Sequence, residues 1–337
     1  MKRFEESMNN RDRFRDIMNF KTVDRLPVME LAIWWNKTIE RWEKEGLPKR
    51  LKPVEIQKYF GLDINKRARF RTTAETYPAP RHGQGIVTDI SSYEKIREHL
   101  YPKNIVKSNM DLLQDMKESQ LSGYAVTHII INGFFWHPRM LFGIENHFYA
   151  FFDHPEVIHR INEDLLKYNI RLIDECCRIF VPDYILIAED MSYNHGPMLS
   201  KALFYEFILP YYQKLVQSIK KYKTNVFVDS DGNIHEMIPW LTDAGIEGAF
   251  PLERQSGVDV VEIRKEYPGF KLMGAFDKMV MDRGEESMRN EFERLLPVMR
   301  KGGFVLSCDH QTPPQVSMEE YKLYVSLMKE YSIKAAE

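Results

Sequence analysis

Acidic side chains directly follow apolar runs at several points in the second half of this 337-residue chain. The clearest case is VFVDSDGN at 226–233, where Asp229 and Asp231 end a run with the composition of a buried strand. Alternation along a strand places these two carboxylates on one side and Ser230 on the other. The equivalent positions after the other apolar runs hold Glu189, Asp190, Glu253, Asp277, Lys278, Cys308, Asp309 and His310.

The negative charge at these strand ends points to a bound cation. If parallel strands end at one edge, the carboxylates share a partly dry pocket, where like charges and burial both disfavour ionisation. A divalent metal ion would balance them, and zinc accepts imidazole, thiolate and carboxylate ligands. A catalytic zinc site would also keep one coordination position open.

Helix capping is the alternative role for single members of this set. An Asp or Asn before a helix accepts backbone N–H groups and complements the helix dipole. For Asp190, Asn233 and Asp309, capping and a functional role are equally compatible with the sequence. For Asp231 and His310 we favour a functional role, because His310 ends the last predicted strand next to Asp309.

Large aromatic side chains follow two earlier predicted strands. ELAIWWNKTIERW contains Trp34 and Trp35, and INGFFWHPR contains Phe135 and Trp136. At strand ends such rings could hold a flat ligand between them. The alternative is that they fill the core, as large aromatic side chains usually do.

Strand and helix patterns alternate regularly in the second half. The runs YILIAEDM, NVFVDSDGN, IEGAFPLE, FKLMGAFDK and GGFVLSCDH each precede a segment of helical periodicity. Parallel strands need such crossovers, and near-continuous apolar strands indicate a sheet covered on both faces. Upstream, YAVTHIIING (124–133) and RLPVMELAIW (25–34) are further strand candidates, and the stretch at about 58–90 is predicted to form a hairpin.

These patterns predict an α/β fold with a single TIM-type barrel spanning residues 1–337, a leading helix at 1–23 and the hairpin as a small insertion. Eight parallel strands and their helices occupy about 250 residues, which leaves room for both additions. A doubly wound sheet is the alternative. The barrel is preferred because the polar clusters follow the carboxyl ends of strands in unit after unit, where such barrels place their sites.

Composition excludes several classes of function. Lys and Arg total 47 against 49 Asp and Glu, so the net charge of −2 recruits neither nucleic acid nor an anionic membrane. The chain lacks a signal-peptide pattern and a long apolar span, so we expect a cytoplasmic protein. Three cysteines give no disulfide framework. Phosphate-loop, dinucleotide-binding, HExxH and GxSxG motifs are absent from the sequence.

Several segments resemble the uroporphyrinogen decarboxylase superfamily. RDRFRDIMNFKTVDRLPV is similar to its N-terminal signature, a basic helix followed by Asp-Arg-x-Pro-Val, here Asp24, Arg25, Pro27 and Val28. The segments AEDMSYNHGPMLSKALFYEFILPYYQKLV, DSDGN, VVEIRKEYPGFKLMGAFDK and GGFVLSCDHQTPPQVSMEEY are similar in order and spacing. The likeness covers nearly the whole chain and implies a single TIM-type barrel.

The resemblance implies a methyltransferase more than a decarboxylase. True decarboxylases carry Arg-Gln-Ala-Gly-Arg after the first strand to bind the acidic side chains of the porphyrinogen, whereas this chain has MELAIWWNKTIERW there. The superfamily also contains corrinoid-dependent methyltransferases of anaerobes. Members that demethylate corrinoids bind zinc through His-x-Cys and a later Cys, and these positions correspond here to Asp229-Ser230-Asp231 and His310.

An oxygen-rich site holds a harder metal ion than a thiolate-rich one and suits an ether or alcohol oxygen. From the resemblance we therefore expect O-demethylation of a methoxylated, aromatic compound, with the methyl group passed to the cobalt of a separate corrinoid protein. The expected zinc ligands are His310, Asp229, Asp231, Glu253 and Cys308. The expected catalytic residues are Asp231, Glu189, Asp190 and Lys278, and the expected substrate-binding residues are Trp34, Trp35, Phe135, Trp136 and Asn233.

Two other functions stay open at this point. One is a decarboxylase-like lyase acting on a smaller acid, with an Asp and Lys278 or an arginine as electrostatic catalysts and no need for a metal. The other is a non-catalytic barrel that binds a flat ligand or a corrinoid partner. A monomer and a homodimer are both compatible with the sequence.

Overall fold

The computed structural model describes residues 8–337, and its central feature is a curled parallel sheet. Seven strands pair side by side in the order β1-β2-β3-β6-β7-β8-β9. They are β1 (Ile64–Arg69), β2 (Ala125–Asn132), β3 (Tyr184–Ala188), β6 (Asn225–Asp229), β7 (Gly248–Phe250), β8 (Lys271–Phe276) and β9 (Phe304–Cys308). Two short strands, β4 (Ser192–Tyr193) and β5 (Gly196–Pro197), form a separate antiparallel pair.

Helices surround this sheet and connect its strands. They are α1 (Asn10–Met18), α2 (Asn36–Lys44), α3 (Pro53–Phe60), α4 (Ile90–Ile96), α5 (Ile105–Ser108), α6 (Met110–Leu121), α7 (Trp136–Phe142), α8 (Ile144–Asp153), α9 (Pro155–Cys177), α10 (Lys201–Phe207), α11 (Leu209–Lys220), α12 (Ile238–Asp243), α13 (Val260–Glu266), α14 (Glu285–Met299) and α15 (Met318–Lys334). All five predicted strand–helix units of the second half are present. Every residue of β2, β3, β8 and β9 is buried, as the near-continuous apolar runs predict.

An irregular segment closes the sheet into a barrel. Residues 27–34 run between the edge strands β1 and β9, where the Val28 carbonyl accepts a hydrogen bond of 2.8 Å from the Asp63 N–H. On the other side, Trp34 forms a parallel bridge with Thr312. The left-handed φ of 56° at Ile33 interrupts regular pairing, so the strand predicted at 25–34 occupies the eighth position of the barrel without full strand geometry. The TIM-type fold is confirmed.

Two details of the predicted organisation change. Helix α1 forms the described part of the leading helix predicted at 1–23, where the Asn9 side chain accepts the Asp12 N–H, and residues 1–7 lie outside the described residues. The hairpin predicted at about 58–90 is wrong, because β1 pairs in parallel with β2 as a strand of the barrel. No helix within residues 8–337 combines the length and apolarity needed to cross a membrane.

Candidate active site

Three side chains that could ligate a metal ion converge at the carboxyl ends of the strands. Asp231 follows β6, Glu253 follows β7 and His310 follows β9, and all three are half-buried. One donor atom from each lies within 4.8 Å of the other two. The Nε2 atom of His310 is 3.5 Å from Oδ2 of Asp231. Three strand ends that are far apart in sequence therefore meet at the mouth of the barrel.

The donor set fits a zinc ion. In a tetrahedral site with bonds of about 2.1 Å, neighbouring ligand atoms are about 3.4 Å apart, close to the separation of His310 and Asp231. Two carboxylates and one imidazole leave an open position for a substrate oxygen. The hydrogen bond with Asp231 is the main cause that raises the pKa of His310, so metal binding there would displace a proton.

The turn after β6 brings two of these carboxylates together. Gly232 has φ of 85°, and a Cβ atom there would lie 2.5 Å from the Tyr193 backbone, so only glycine fits. Its N–H donates to Oε2 of Glu253 at 3.0 Å. The DSDGN sequence thus ties the Asp231 turn to the loop that carries Glu253.

A lysine lies against the same cluster. The Lys278 Nζ atom is 3.4 Å from Oε1 of Glu253 and 3.5 Å from Oδ1 of Asp309. Asp309 is fully buried and accepts the backbone N–H groups of Arg254 and Lys278, which begin two short 3-10 helices. Asp309 therefore does not cap the helix that follows it, which Ser317 caps, but it holds the starts of two neighbouring 3-10 helices. Burial raises its pKa to about 6, while Lys278 acts in the opposite direction.

A cavity of about 360 Å³ opens at this mouth and extends into the barrel. Asp229 and Asp231 both line it, as alternation predicts, while the Ser230 hydroxyl accepts the Met191 N–H behind them. Burial, followed by repulsion from Asp231, raises the pKa of Asp229 to about 7. The apolar lining of the cavity consists of Leu31, Ala32, Ile33, Ile130, Leu186, Phe250, Pro251 and Met273. Its polar lining consists of Arg67, Arg69, His128, Tyr184, Asp229, Asp231, His310 and Gln311.

Glu189 is a structural residue, and its predicted catalytic role is wrong. Its side chain is fully buried and does not line the cavity. Its carboxylate accepts the backbone N–H groups of Phe134, Phe135 and Trp136 at 2.7, 2.8 and 3.0 Å, and also the Tyr212 hydroxyl. It thereby holds the turn between β2 and α7.

Asp190 lies at the edge of the cluster. It has a left-handed φ of 49°, and its Oδ2 atom is 3.5 Å from Nη1 of Arg139. Burial is the main cause that raises its pKa, with a further contribution from Asp231, so the two carboxylates are close enough to repel each other. Its catalytic role stays a prediction, as does that of Lys278.

Cys308 lies outside the cluster of potential metal ligands, so the structure does not support its predicted place among them. It is fully buried at the end of β9, and its Sγ atom is 4.0 Å from the Met281 Sδ atom. The group of potential ligands at the mouth does not include it. Because β9 ends at Cys308, strand alternation does not extend to His310, and the two side chains diverge.

The aromatic residues that were predicted to bind the substrate divide into core and surface residues. Trp34 is 3% exposed and packs against Trp42, Phe60 and Tyr321. Phe135 is fully buried against the side chains of α8. For both, the predicted substrate contact is wrong and the core alternative holds.

The remaining predicted substrate-binding residues stay outside the cavity lining. Trp35 is 43% exposed, and Trp136 lies 5.5 Å from the Arg139 guanidinium. The Asn233 side chain accepts the N–H of His235, the first residue of a short 3-10 helix, at 3.0 Å. Substrate binding by Trp35, Trp136 and Asn233 stays a prediction.

Two arginines of the cavity were missed by the sequence analysis. Arg67 and Arg69 alternate along β1 and both line the cavity. The signal that could have found them is this alternation in INKRAR, had the segment been assigned to a barrel strand.

Comparisons with known proteins agree with the barrel. A methyltransferase from Methanosarcina mazei has a TM-score of 0.67 at 14% identity, covering 96% of this chain and 99% of that one. A candidate vitamin-B12-independent methionine synthase from Listeria monocytogenes has a lower TM-score of 0.46 at 12% identity, covering 94% of this chain and 98% of that one. No curated protein matches the sequence. The uroporphyrinogen decarboxylase (URO-D) model matches residues 138–331, more than half of the chain, and the protein therefore belongs to that family.

Proposed function

We propose that the protein is a methyltransferase that cleaves a methyl ether and transfers the methyl group to the cobalt of a separate corrinoid protein. The observation that carries this proposal is the convergence of Asp231, Glu253 and His310 beside a cavity of about 360 Å³. The similarity in fold to the Methanosarcina mazei methyltransferase supports the choice among the activities of this family.

Asp231, Glu253 and His310 would hold the zinc ion, with Asp229 beside them in the cavity. When bound there, zinc would supply a Lewis acid for the ether oxygen. Glu253 is held in place by the Gly232 N–H and by the Lys278 ammonium. Asp309, which accepts two backbone N–H groups, keeps Lys278 at this position.

The cavity walls would orient the ether and keep water from the reacting carbon. Ile130, Leu186 and Phe250 contribute apolar surface to the cavity lining, and a volume of about 360 Å³ accepts a single substituted ring. In the reaction, the bond between the methyl carbon and the ether oxygen breaks, and the methyl group passes to the reduced corrinoid. The oxygen keeps the electron pair and takes up a proton, giving a phenol or an alcohol.

A decarboxylase-like lyase is the second candidate. The observation that favours it is the pair Arg67 and Arg69, which presents positive charge to the cavity and would attract a substrate acid. The acid would be small, because the cavity is far smaller than a porphyrinogen would need. Release of carbon dioxide from simple aromatic acids, without zinc, would support this function in place of methyl transfer.

Metal content and methyl transfer test the proposal together. We expect about one equivalent of zinc per chain in the full-length protein and its loss in His310→Ala. His99→Ala is the matched control, because His99 lies on a 3-10 helix and contacts Thr76 and Glu98 instead of the cluster. The activity assay follows methylation of added cob(I)alamin by its absorbance, with methoxybenzenes as donors.

Wild-type protein and His99→Ala should transfer the methyl group, and His310→Ala should not. Wild-type protein that fails to retain zinc after zinc addition would contradict the proposed metal site. Turnover that is unchanged in His310→Ala would contradict its role in methyl transfer. Binding of aromatic ligands without any turnover would support a non-catalytic barrel.

A further inference from the structure

Arg67 and Arg69 project from β1 into the cavity behind the candidate metal ligands. The register pairs Arg67 with His128 and Arg69 with Ile130 on β2, and all four residues line the cavity. Arg67 is half-buried, whereas Arg69, at the carboxyl end of β1, is exposed. Two guanidinium groups thus occupy successive inward positions of one strand.

Neither guanidinium has a carboxylate partner within residues 8–337. The ion pairs around the mouth involve Arg139, Lys278 and His310 instead. Arginine stays charged at any ordinary pH, and a partly buried charge without a partner is costly. Burial, together with repulsion from Arg69, lowers the pKa of Arg67. The sequence thus places a positive charge in the barrel that packing alone does not explain.

Asp229 lines the same cavity and acts on Arg67, but one carboxylate cannot balance both arginines. The Asp229 charge acts to raise the pKa of Arg67, and the Arg69 charge acts to lower the pKa of Asp229. Two guanidinium groups and one carboxylate leave a net charge of about +1 among these three side chains, even with Asp229 ionised, while the Asp231 carboxylate of the same cavity pairs with His310. The polar residues at the level of Arg67, His128 and Tyr184, add no negative charge, because burial lowers the pKa of His128 and raises that of Tyr184.

We propose that Arg67 and Arg69 form an anion subsite that binds a carboxylate on the substrate, while the methyl ether of the same molecule lies at Asp231, Glu253 and His310. This inference rests on the proposed function and narrows its substrate class to methyl ethers that carry one carboxylate, such as methoxybenzoates. Guanidinium and carboxylate groups match each other in shape and can form two parallel hydrogen bonds. One anionic group suits the single net positive charge of the subsite.

Binding measurements on the full-length protein test the subsite without requiring turnover. Isothermal titration calorimetry would compare para-methoxybenzoate with its neutral counterpart para-methoxybenzamide in wild type, Arg67→Met and Arg69→Met. Arg71→Met is the matched control, since Arg71 follows at the next position of the same parity, is exposed and pairs with Glu75. Circular dichroism would establish that each variant is folded, and Arg67→Lys and Arg69→Lys replace any methionine variant that is not.

We expect the acid to bind wild type at least about tenfold more tightly than the amide, and each methionine variant to remove this preference. Arg71→Met should keep it, and the lysine variants should keep part of it, because lysine retains the charge but loses the two-bond geometry. Equal binding of acid and amide by wild type, or an unchanged preference in both Arg67→Met and Arg69→Met, would overturn the subsite.

The same variants separate this inference from the proposed function. If wild type binds the acid through the arginines but transfers no methyl group, the proposed function fails and the subsite stands. If neutral and acidic ethers are demethylated with equal kcat/KM, the subsite fails and the methyltransferase stands. Benzoate, which has no methoxy group, should compete with para-methoxybenzoate for the subsite. Phosphate or sulfate competing as well as benzoate would instead indicate a general anion site and overturn the assignment to a carboxylate.

Discussion

Gly133→Ala tests whether the Glu189 carboxylate holds the turn between β2 and α7. A Cβ atom at residue 133 would lie 2.0 Å from Cδ of Glu189 and 2.1 Å from Oε1, far closer than any ordinary contact. Gly133 does not have a left-handed φ, so alanine would add no backbone strain. The only way to accept the methyl group is to move the buried carboxylate away from the turn.

That movement has a definite cost. The Glu189 carboxylate accepts three backbone N–H groups within 3.0 Å, and a displacement of more than 1 Å would break at least two of these bonds. Burial raises the pKa of Glu189 to about 7, so the carboxylate is mostly ionised at pH 8. Hydrogen bonds to a charged group contribute about 1.5–3 kcal/mol each, so Gly133→Ala should lower the free energy of unfolding at pH 8 by about 3–6 kcal/mol. This is a large share of the stability of an ordinary domain, which is about 5–15 kcal/mol.

Urea denaturation followed by circular dichroism would measure the loss. Gly269→Ala is the control, because no atom lies within 4 Å of the added Cβ there, and its stability should stay within about 0.5 kcal/mol of wild type. If Gly133→Ala does not fold, Tyr212→Phe gives a milder test: it removes one donor to Glu189 and should cost about 1.5–3 kcal/mol. If the Gly133→Ala variant is as stable as the Gly269→Ala variant, Glu189 does not hold the turn.

Three further predictions follow from buried side chains. Burial raises the pKa of Glu30 to about 7 from an ordinary value of 4.5, so the folded state holds a proton that the unfolded state releases. The unfolding free energy should therefore fall by about 3 kcal/mol between pH 4.5 and 7 on account of Glu30, and Glu30→Gln should remove that part of the decrease in urea titrations at several pH values. Cys308→Ala should retain the zinc content of wild type in elemental analysis, whereas a loss of zinc would restore Cys308 as a ligand. Trp34→Ala should lower the unfolding free energy by about 3–5 kcal/mol, and the exposed Trp35 should tolerate alanine within about 0.5 kcal/mol, both measured by denaturation.

The barrel and the location of its mouth could be predicted from sequence because both depend on simple patterns. Strands covered on both faces show continuous apolar runs, and side chains that follow them collect at one end. Asp231, Glu253 and His310 were found in this way, from three strand ends that meet in the structure. The sequence does not say which of two adjacent polar residues faces inward. Glu189 is fully buried against the turn after β2, whereas Asp190, which has a left-handed φ, is partly exposed near Arg139, and no residue pattern there indicates this difference.

Strand β1 was misassigned for a physical reason. Its sequence INKRAR has polar residues at Asn65, Arg67 and Arg69, which share one side of the strand, and in most sheets such a polar side faces solvent. Here that side, with Asn65, Arg67 and Arg69, faces the interior of the barrel, where Asn65 contacts His128 and the arginines line the cavity. A polar interior cannot be inferred from hydrophobic periodicity, because that pattern identifies only which residues share a side.

Charge balance at the mouth changes the argument for a metal ion. Considered by sequence alone, the carboxylates demand a cation, but basic side chains already compensate several of them: Arg139 lies near Asp190, and Lys278 lies near Glu253 and Asp309. Electroneutrality therefore does not require a metal at every acid. What singles out the zinc proposal is geometry, because donor atoms of Asp231, Glu253 and His310 approach one another within 4.8 Å from three separate strand ends. Two carboxylates and one imidazole around a common centre form a donor set that zinc accepts, with a fourth position left for a substrate oxygen.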